Sequence, residues 1–204
     1  MPSIAEIYFS KPLKEVKEED VQNLINKQVT EDYTLDYTEI PKKPAYDELA
    51  KEISAFLNTR GGLVIFGVSE KDHKFPRSIT WGNISKETVV RNLYNKVVPW
   101  DEKIEIHPIE NQERQNEYIF LIEVPKSQNP PHMGSEKYYY RDIFESRPLN
   151  HYQIKSIFNE SWIMKKDIVE KILGPLYNDI DMIIKNLSYD YQHASIIYEQ
   201  INRQ

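Results

Sequence analysis

The chain has 204 residues, enough for one domain of common size or for one domain with an appendage. With 40% hydrophobic residues it can form a core, and without cysteine it cannot form disulfides, thiolate zinc sites or cysteine nucleophiles. The formal net charge of −6 argues against a general DNA-coating protein, because neutralising phosphates requires an excess of Lys and Arg.

We expect a soluble, cytoplasmic protein with no membrane partner. No apolar run approaches the roughly 18 residues that span a bilayer. The first residues, Met1 to Glu6, lack the basic and apolar regions of a signal peptide. The absence of cysteine also suits a reducing compartment.

The first part of the sequence predicts an arm, a helix and a strand. Residues 1–14 form the arm, with a short strand at Ile7–Phe9. A helix is predicted at Glu15–Lys27, where apolar residues recur on one side and acids fill the first turn. Tyr33–Ile40 alternates large apolar and polar side chains, which is typical of a half-buried strand.

The next two predicted elements surround a pair of glycines. Tyr46–Asn58 has apolar residues at helical spacing and predicts a second helix. Gly61-Gly62 follows, and glycine can leave a helix through a positive φ. Leu63–Val68 is a short, continuous apolar run, as in a strand that is buried on both faces.

The remaining elements are shorter and alternate again. Further helices are predicted at Lys86–Val98, with Ser85 as N-cap, and at Asn150–Phe158. Strands are predicted at Lys103–Pro108, Tyr118–Val124 and Lys137–Arg141, and an exposed polar loop joins the first two of these strands.

These elements predict an α+β fold in which a mixed β-sheet packs with helices, followed by a C-terminal helical extension. The predicted boundaries are an N-terminal arm at 1–14, one domain at 15–160 and the extension at 161–204. An apolar stripe at helical spacing runs through the extension from Ile168 to Leu187. It indicates packing within the chain or a dimer interface, and we expect a homodimer.

Three motifs, in this order along the chain, carry a family resemblance. Glu31–Thr38 resembles the opening motif of the Schlafen/AlbA-like family, and Ile53–Val68 is similar to its glycine-containing core. Val124–Ser127 together with Lys137–Arg141 resembles its ending. The resemblance covers roughly residues 20–158, and its middle motif is the most specific.

The resemblance implies a nucleic-acid-associated domain. Members from bacteria and archaea are usually described as DNA-binding, whereas the Schlafen branch includes metal-dependent endoribonucleases that cut transfer and ribosomal RNA. In that branch three acids form the active site, and the matching positions here are Glu31, Asp36 and Glu70. The resemblance therefore implies that these three residues are catalytic and bind the metal.

The residue types suit that chemistry. Mg²⁺ and Mn²⁺ prefer carboxylate oxygens, and ions held in this way can activate water at a phosphodiester. Either ion is expected as cofactor if the domain is catalytic, and zinc is not expected. Glu31 and Asp36 would face opposite sides of a regular strand, so Glu31 must lie in a turn or bulge if the acids are to converge. The competing interpretation is three solvated surface acids.

Three cations are candidates for nucleic-acid binding, namely Arg60, Lys126 and Arg141. Arg141 ends an aromatic strand, where its guanidinium can pair with phosphate while tyrosines stack on unpaired bases. The alternative for Arg141 is a bridge to a nearby acid such as Asp142 or Glu145. His132 lies in a loop that either covers a site or faces solvent.

The predicted function is binding to nucleic acid, with RNA expected before DNA. Its catalytic form is a metal-dependent endoribonuclease acting on structured RNA such as transfer RNA. The alternative is a non-catalytic DNA-binding or dimerisation module of a transcriptional regulator, in which the acids have no chemical role. Sequence alone leaves both open.

Overall fold

The computed structural model describes residues 3–41, 46–71 and 75–160, together with the single positions 166, 171 and 175. The chain divides into two compact units, Met1–Phe158 and Asn159–Gln204. The helical extension predicted at 161–204, with its apolar stripe, lies outside the described residues apart from those single positions. The predicted dimer interface lies there too.

The described part of the chain contains helices and two runs of consecutive strands, which fits the predicted α+β fold. The helices are α1 Ile4–Phe9, α2 Glu18–Asn26, α3 Asp47–Asn58 and α4 Lys86–Lys96, with a 3₁₀ turn at Leu13–Glu15 and further helix over 151–160. The strands are β1 Leu35–Thr38, β2 Gly61–Phe66, β3 Val68–Lys71, β4 Phe75–Ile79, β5 Val97–Val98, β6 Glu105–Glu110, β7 Tyr118–Pro125, β8 Met133–Gly134, β9 Lys137–Arg141 and β10 Ser146–Pro148. None of the helices in this part of the chain is long and apolar enough to cross a membrane.

The main sheet has four strands in the order β1-β2-β7-β6. β1 runs parallel to β2, whereas β2–β7 and β7–β6 are antiparallel, so the sheet is mixed as predicted. A second sheet has the order β10-β9-β8-β5, and β3 and β4 form a separate hairpin.

Both faces of the main sheet are buried, and the alternation along β2 explains how. Val64 and Phe66 belong to the core that packs against α3 and α4. Leu63 and Ile65 belong to the core on the opposite face, which α1 and α2 cover. The prediction of a strand buried on both faces is confirmed.

The second sheet lies directly against α3 because Gly134 allows a close approach. A Cβ atom at Gly134 would lie 2.3 Å from the carbonyl oxygen of Ala50. At the end of α3, the Asn58 side-chain amide donates to the carbonyl oxygens of His132 and Tyr139, at 2.8 Å each. These contacts hold the β8–β9 hairpin on the helix and so place the end of β9 beside it.

Several predicted elements are confirmed, and others differ from the prediction. Ser85 caps α4 by accepting a hydrogen bond from the Thr88 amide, and Gly61 has the positive φ of 81° expected after α3. The helix predicted at Lys86–Val98 ends at Lys96, and Val97–Val98 form β5. The strand predicted as half-buried at Tyr33–Ile40 is β1, whose four residues are all buried. The strand predicted at Ile7–Phe9 is helical and belongs to α1. Ser3 and Glu6 form a capping box there, which stabilises the first turn of a helix.

Candidate functional site

The position of β1 at the edge of the main sheet determines where its side chains and backbone groups point. Leu35 and Tyr37 lie in the core under α1 and α2, so by alternation Asp36 and Thr38 lie on the α3 side. On the β2 side, the carbonyl oxygen of Thr34 accepts the Leu63 amide at 2.7 Å, and that of Thr38 accepts the Gly67 amide at 2.8 Å. The amides and carbonyls of Leu35 and Tyr37 therefore point away from β2.

Glu31 lies in the turn before β1 and not in the strand. Its Oε1 accepts the outward-pointing amide of Tyr37 at 2.9 Å. The carboxylate is buried, with 3% of the residue exposed. Glu31 therefore lies in a turn, as it must if its carboxylate and that of Asp36 are to converge.

Arg141 ends β9 and inserts its guanidinium among the acids. Nη1 donates to Asp36 Oδ1 and to Glu52 Oε2, both at 2.7 Å. Nη2 donates to the carbonyl oxygen of Leu35 at 3.0 Å and lies 3.9 Å from Glu31 Oε2. Only 2% of Arg141 is exposed, so this arginine is held by carboxylates and backbone and not by solvent.

The motif residues at the end of α3 fix Arg141 in place. The Thr59 hydroxyl accepts the Arg141 amide at 3.0 Å and donates to the carbonyl oxygen of Ala55 at 2.7 Å. The guanidinium carbon lies 5.1 Å from the centre of the Phe56 ring. Asp142 and Glu145, the acids considered as alternative partners, pair with Arg147. Arg141 pairs with Asp36 and Glu52 instead.

Glu52 is a fourth acid that sequence reasoning missed. It lies on α3 with 4% exposure, and its Oε2 accepts the Ser146 hydroxyl as well as Arg141 Nη1. Leu49 and Phe56 precede and follow it at helical spacing on the buried face of α3. A charged residue at such a position requires a buried partner, and this was the signal available in the sequence.

Burial and mutual repulsion make these acids hard to ionise. Burial, then the charge of Asp36, raises the pKa of Glu31 well above its usual range. Burial also raises the pKa of Asp36, although Arg141 opposes the shift. For Glu52, burial and the charge of Asp36 raise the pKa to about 7. Two cations, Arg141 and Lys51, face these acids, and the Lys51 Nζ atom lies 3.3 Å from Glu52 Oε1.

Glu70 completes the cleft from a neighbouring strand. It lies half-buried in β3, where a register shift between Ser69 and Glu70 interrupts the pairing with β4. Its charge raises the pKa of both Glu31 and Asp36. A cleft of about 1050 Å³ is lined by Glu31, Asp36, Glu52, Glu70 and Arg141. We call this set the acid cleft.

The donor set of the acid cleft suits a hard divalent cation by its chemistry, but its arrangement does not. No group of three or more acidic or histidine side chains is arranged to hold a metal ion within the described ranges. Arg141 Nη1 contacts one oxygen of Asp36 and one of Glu52, so a positive charge already lies between these two carboxylates. The structure thus brings the three predicted acids to one cleft with a guanidinium among them.

The other two predicted cations lie together at the surface. Arg60 precedes β2 and Lys126 follows β7, and Gly61 pairs with Pro125 between those strands. Both side chains are exposed. The Arg60 guanidinium lies over the ring of Tyr33, 5.1 Å from its centre. We call Arg60 and Lys126 the exposed cation pair.

His132 neither faces solvent nor lines the acid cleft. It is 2% exposed, with Nδ1 2.6 Å from the carbonyl oxygen of Pro99 and Nε2 2.7 Å from the Ser127 hydroxyl. Its amide donates to Asn58 Oδ1 at 2.6 Å. Because both ring nitrogens and Ser127 are buried, the pair joins β7 to the following loops and is not a nucleophile with its base.

The chain belongs to the family described as Schlafen, AlbA_2. The sequence pattern of that family matches residues 14–150, which is more than half of the 204 residues of this chain. No curated protein matches the chain. A similar solved structure is that of the DIP2311 protein from Corynebacterium diphtheriae, with a TM-score of 0.46 and 17% identity. The similarity covers 64% of this chain and 29% of that one, so this chain spans less than a third of that protein.

Proposed function

We propose that this chain binds nucleic acid through the exposed cation pair, and that its target is RNA. Membership of the Schlafen, AlbA_2 family supports a nucleic-acid-related function. The observation that carries the proposal is that two exposed cations, Arg60 and Lys126, adjoin the paired residues Gly61 and Pro125 at the ends of β2 and β7. Two cations held at neighbouring strand ends can contact successive phosphates of one strand.

The overall charge means that binding needs a local cationic surface. With a net charge of −6 the protein repels nucleic acid at long range, so attraction depends on a local group of cations. Each phosphate neutralised on a single strand contributes about −0.7 to the slope of log affinity against log salt. An interface built on two cations therefore has a shallow but measurable salt dependence.

Binding of transfer RNA over a series of salt concentrations tests the proposal. We expect wild-type affinity to fall as the salt concentration rises. Arg60→Ala and Lys126→Ala should each weaken binding and make the slope of log affinity against log salt shallower by about 0.7, the contribution of one phosphate. Arg114→Ala is the matched control, because Arg114 is an exposed arginine on the β6–β7 loop. Undetectable binding at low salt, or equal effects of Arg60→Ala and Arg114→Ala, would contradict the proposal.

A second candidate function is cleavage of structured RNA such as transfer RNA in the acid cleft. It is favoured by one observation, which is that Glu31, Asp36 and Glu70 line the same cleft. Mg²⁺ or Mn²⁺ would be the cofactor, since these ions prefer carboxylate oxygens. The arrangement around Arg141 counts against this candidate, so we rank it below binding alone.

Incubation of transfer RNA with the protein and either ion tests the second candidate. Cleavage should require Mg²⁺ or Mn²⁺ and be abolished in Glu31→Ala and Glu70→Ala. Glu113→Ala, an exposed acid in the β6–β7 loop, should cleave like the wild type. Intact RNA after prolonged incubation with each ion excludes the nuclease. Preferential binding to duplex DNA without metal dependence would favour the regulator module instead.

Homodimerisation is a separate proposal that rests on the apolar stripe in the sequence from Ile168 to Leu187. Apolar residues that recur at helical spacing over this length need a partner surface. Light scattering is expected to give twice the chain mass of 24.2 kDa at micromolar concentration. A particle with the mass of one chain would rule the dimer out.

A further inference from the structure

We infer that Tyr33 and Arg60 form a stacking subsite for one unpaired nucleobase of a single-stranded RNA segment. The inference rests on the proposed nucleic-acid binding and adds the class of target. It starts from an exposed aromatic ring, since 38% of Tyr33 is accessible in the turn before β1. An exposed aromatic side chain offers a face on which any base can stack.

The turn that carries Tyr33 is held rigidly by its neighbours. The Asp32 carboxylate accepts the Thr34 amide at 2.7 Å and the Tyr8 hydroxyl at 2.8 Å. The Arg141 Nε and Nη2 atoms both donate to the carbonyl oxygen of Asp32, at 3.3 Å. Tyr33 thus lies between anchored residues, and a ring presented in this way loses little conformational entropy on binding.

Arg60 adds a second flat group to the ring. Its guanidinium carbon lies 5.1 Å from the centre of the Tyr33 ring, within the range of a cation–π contact. A stacked guanidinium keeps its N–H donors at its rim, where they can pair with phosphate. Tyr33 and Arg60 together therefore offer one stacking surface and one phosphate contact.

Lys126 lies next to this pair because of Gly61. A Cβ atom at Gly61 would lie 2.8 Å from the Lys126 backbone nitrogen and 2.7 Å from the Val124 carbonyl oxygen. The missing side chain lets the two strand ends approach closely, so the backbone of Lys126 lies against Gly61, the residue that follows Arg60. The Tyr33 ring would stack on the base of one nucleotide, and the two cations would contact the phosphate of that nucleotide and the next phosphate along the strand.

The geometry selects unpaired bases. In a duplex both faces of each base are covered by neighbouring pairs, so a protein ring can stack only on a base in a loop, a bulge or a single strand. RNA presents such bases routinely within folded molecules. We therefore expect discrimination between single-stranded and duplex RNA to depend on Tyr33.

Fluorescence anisotropy with a short single-stranded RNA and its duplex tests this. Tyr33→Ala should weaken binding to the single strand by about 5- to 150-fold, the range expected when the ring under one stacked base is removed, and change duplex binding less than about twofold. Tyr33→Phe should retain single-strand binding because it retains the ring. The control is Tyr152→Ala, since Tyr152 is 82% exposed on a different element and should behave like the wild type.

A base analogue gives a readout that a structural role of Tyr33 would not move. At protein concentrations that saturate binding, the fluorescence of 2-aminopurine in the single strand should be quenched by the wild type, whose tyrosine ring stacks on the analogue, and not by Tyr33→Ala. The inference is overturned if Tyr33→Ala matches Tyr152→Ala, or if it weakens single-strand and duplex binding equally, as expected when the ring only supports Arg60. If the wild type binds neither RNA at low salt, the proposed function fails as well.

Discussion

Two arginines at neighbouring positions in the fold have opposite surroundings. Arg141, in the acid cleft, is 2% exposed and bonds to Asp36, Glu52 and backbone carbonyls. Arg60, in the exposed cation pair, lies in solvent over Tyr33. The sequence alone gives both the same candidate role. The difference teaches that burial, and not residue type, decides whether a guanidinium can meet a phosphate.

The physical reason lies in the cost of desolvating charge. A buried guanidinium must satisfy its N–H donors within the protein, and a buried carboxylate must find donors or hold a proton. Burial works against ionisation of Arg141, but the charges of Asp36 and Glu52 outweigh it and raise the pKa of the guanidinium. Arg60 has no such requirement, because water solvates it.

Replacement of the two arginines should separate the two regions most clearly. Arg141→Ala leaves Asp36 and Glu52 buried without their guanidinium, so we expect a loss of about 3–5 kcal/mol in the free energy of unfolding. Arg60→Ala should change that free energy by less than about 0.5 kcal/mol. Urea denaturation of both variants of the full chain measures the difference.

Arg141→Lys provides the control for that experiment. Lysine keeps the charge but lacks the planar fork that reaches Asp36 and the Leu35 carbonyl together, so its stability should fall between wild type and Arg141→Ala. Equal losses for Arg141→Ala and Arg60→Ala would mean that the acids of the cleft do not depend on Arg141.

The acid cleft should also make stability depend on pH. Burial and the charge of Asp36 raise the pKa of Glu52 from its ordinary 4.5 to about 7, so the folded state keeps a proton that the unfolded state has lost between these values. The free energy of unfolding should therefore fall as pH rises from 4.5 to about 7, by at most about 1.4 kcal/mol per pH unit from this group. Denaturation across this range measures the slope.

Glu52→Gln should flatten that slope, because glutamine does not titrate and can still accept hydrogen bonds from Arg141 and Ser146. Glu113→Gln, at an exposed acid, should leave it unchanged. If the Glu52→Gln and wild-type curves run parallel, the pKa of Glu52 is not raised by burial.

The smallest effect is expected at Thr59, which lies beside Arg60 in sequence but supports Arg141. Thr59→Val keeps the shape of the side chain and removes the oxygen that accepts the Arg141 amide. We expect a loss of about 1 kcal/mol in the free energy of unfolding, with RNA binding by the exposed cation pair unchanged. Thr59→Ser should restore stability, and a Thr59→Val variant as stable as the wild type would contradict the role of the hydroxyl.

Local patterns predicted much of this fold. The bounds of β9 are those predicted, and α3 starts one residue after its predicted start. Both elements were predictable because the spacing of apolar residues along a chain reflects which face of the element is buried. The short strands β5, β8 and β10 were not predicted, since two- or three-residue strands carry no periodicity. Helix α1 was not predicted because six residues are too few to show helical periodicity. The capping box of Ser3 and Glu6 was the signal for its start.

The site was predictable in part. Family resemblance indicated Glu31, Asp36 and Glu70, and the structure places all three along one cleft. The burial of Arg141 could not be predicted, because it follows from the packing of β9 on α3, a contact between segments far apart in sequence. The proximity of Arg60 to Lys126 likewise depends on the register between β2 and β7.

The edge position of β1 has a consequence for self-association. An exposed strand edge is a template on which another chain can add a strand, and proteins commonly block such edges with charged groups. Glu31 covers the outward amide of Tyr37 and Arg141 covers the outward carbonyl of Leu35. The charges that shape the cleft thereby also protect the open edge of β1 against the addition of a strand from another molecule.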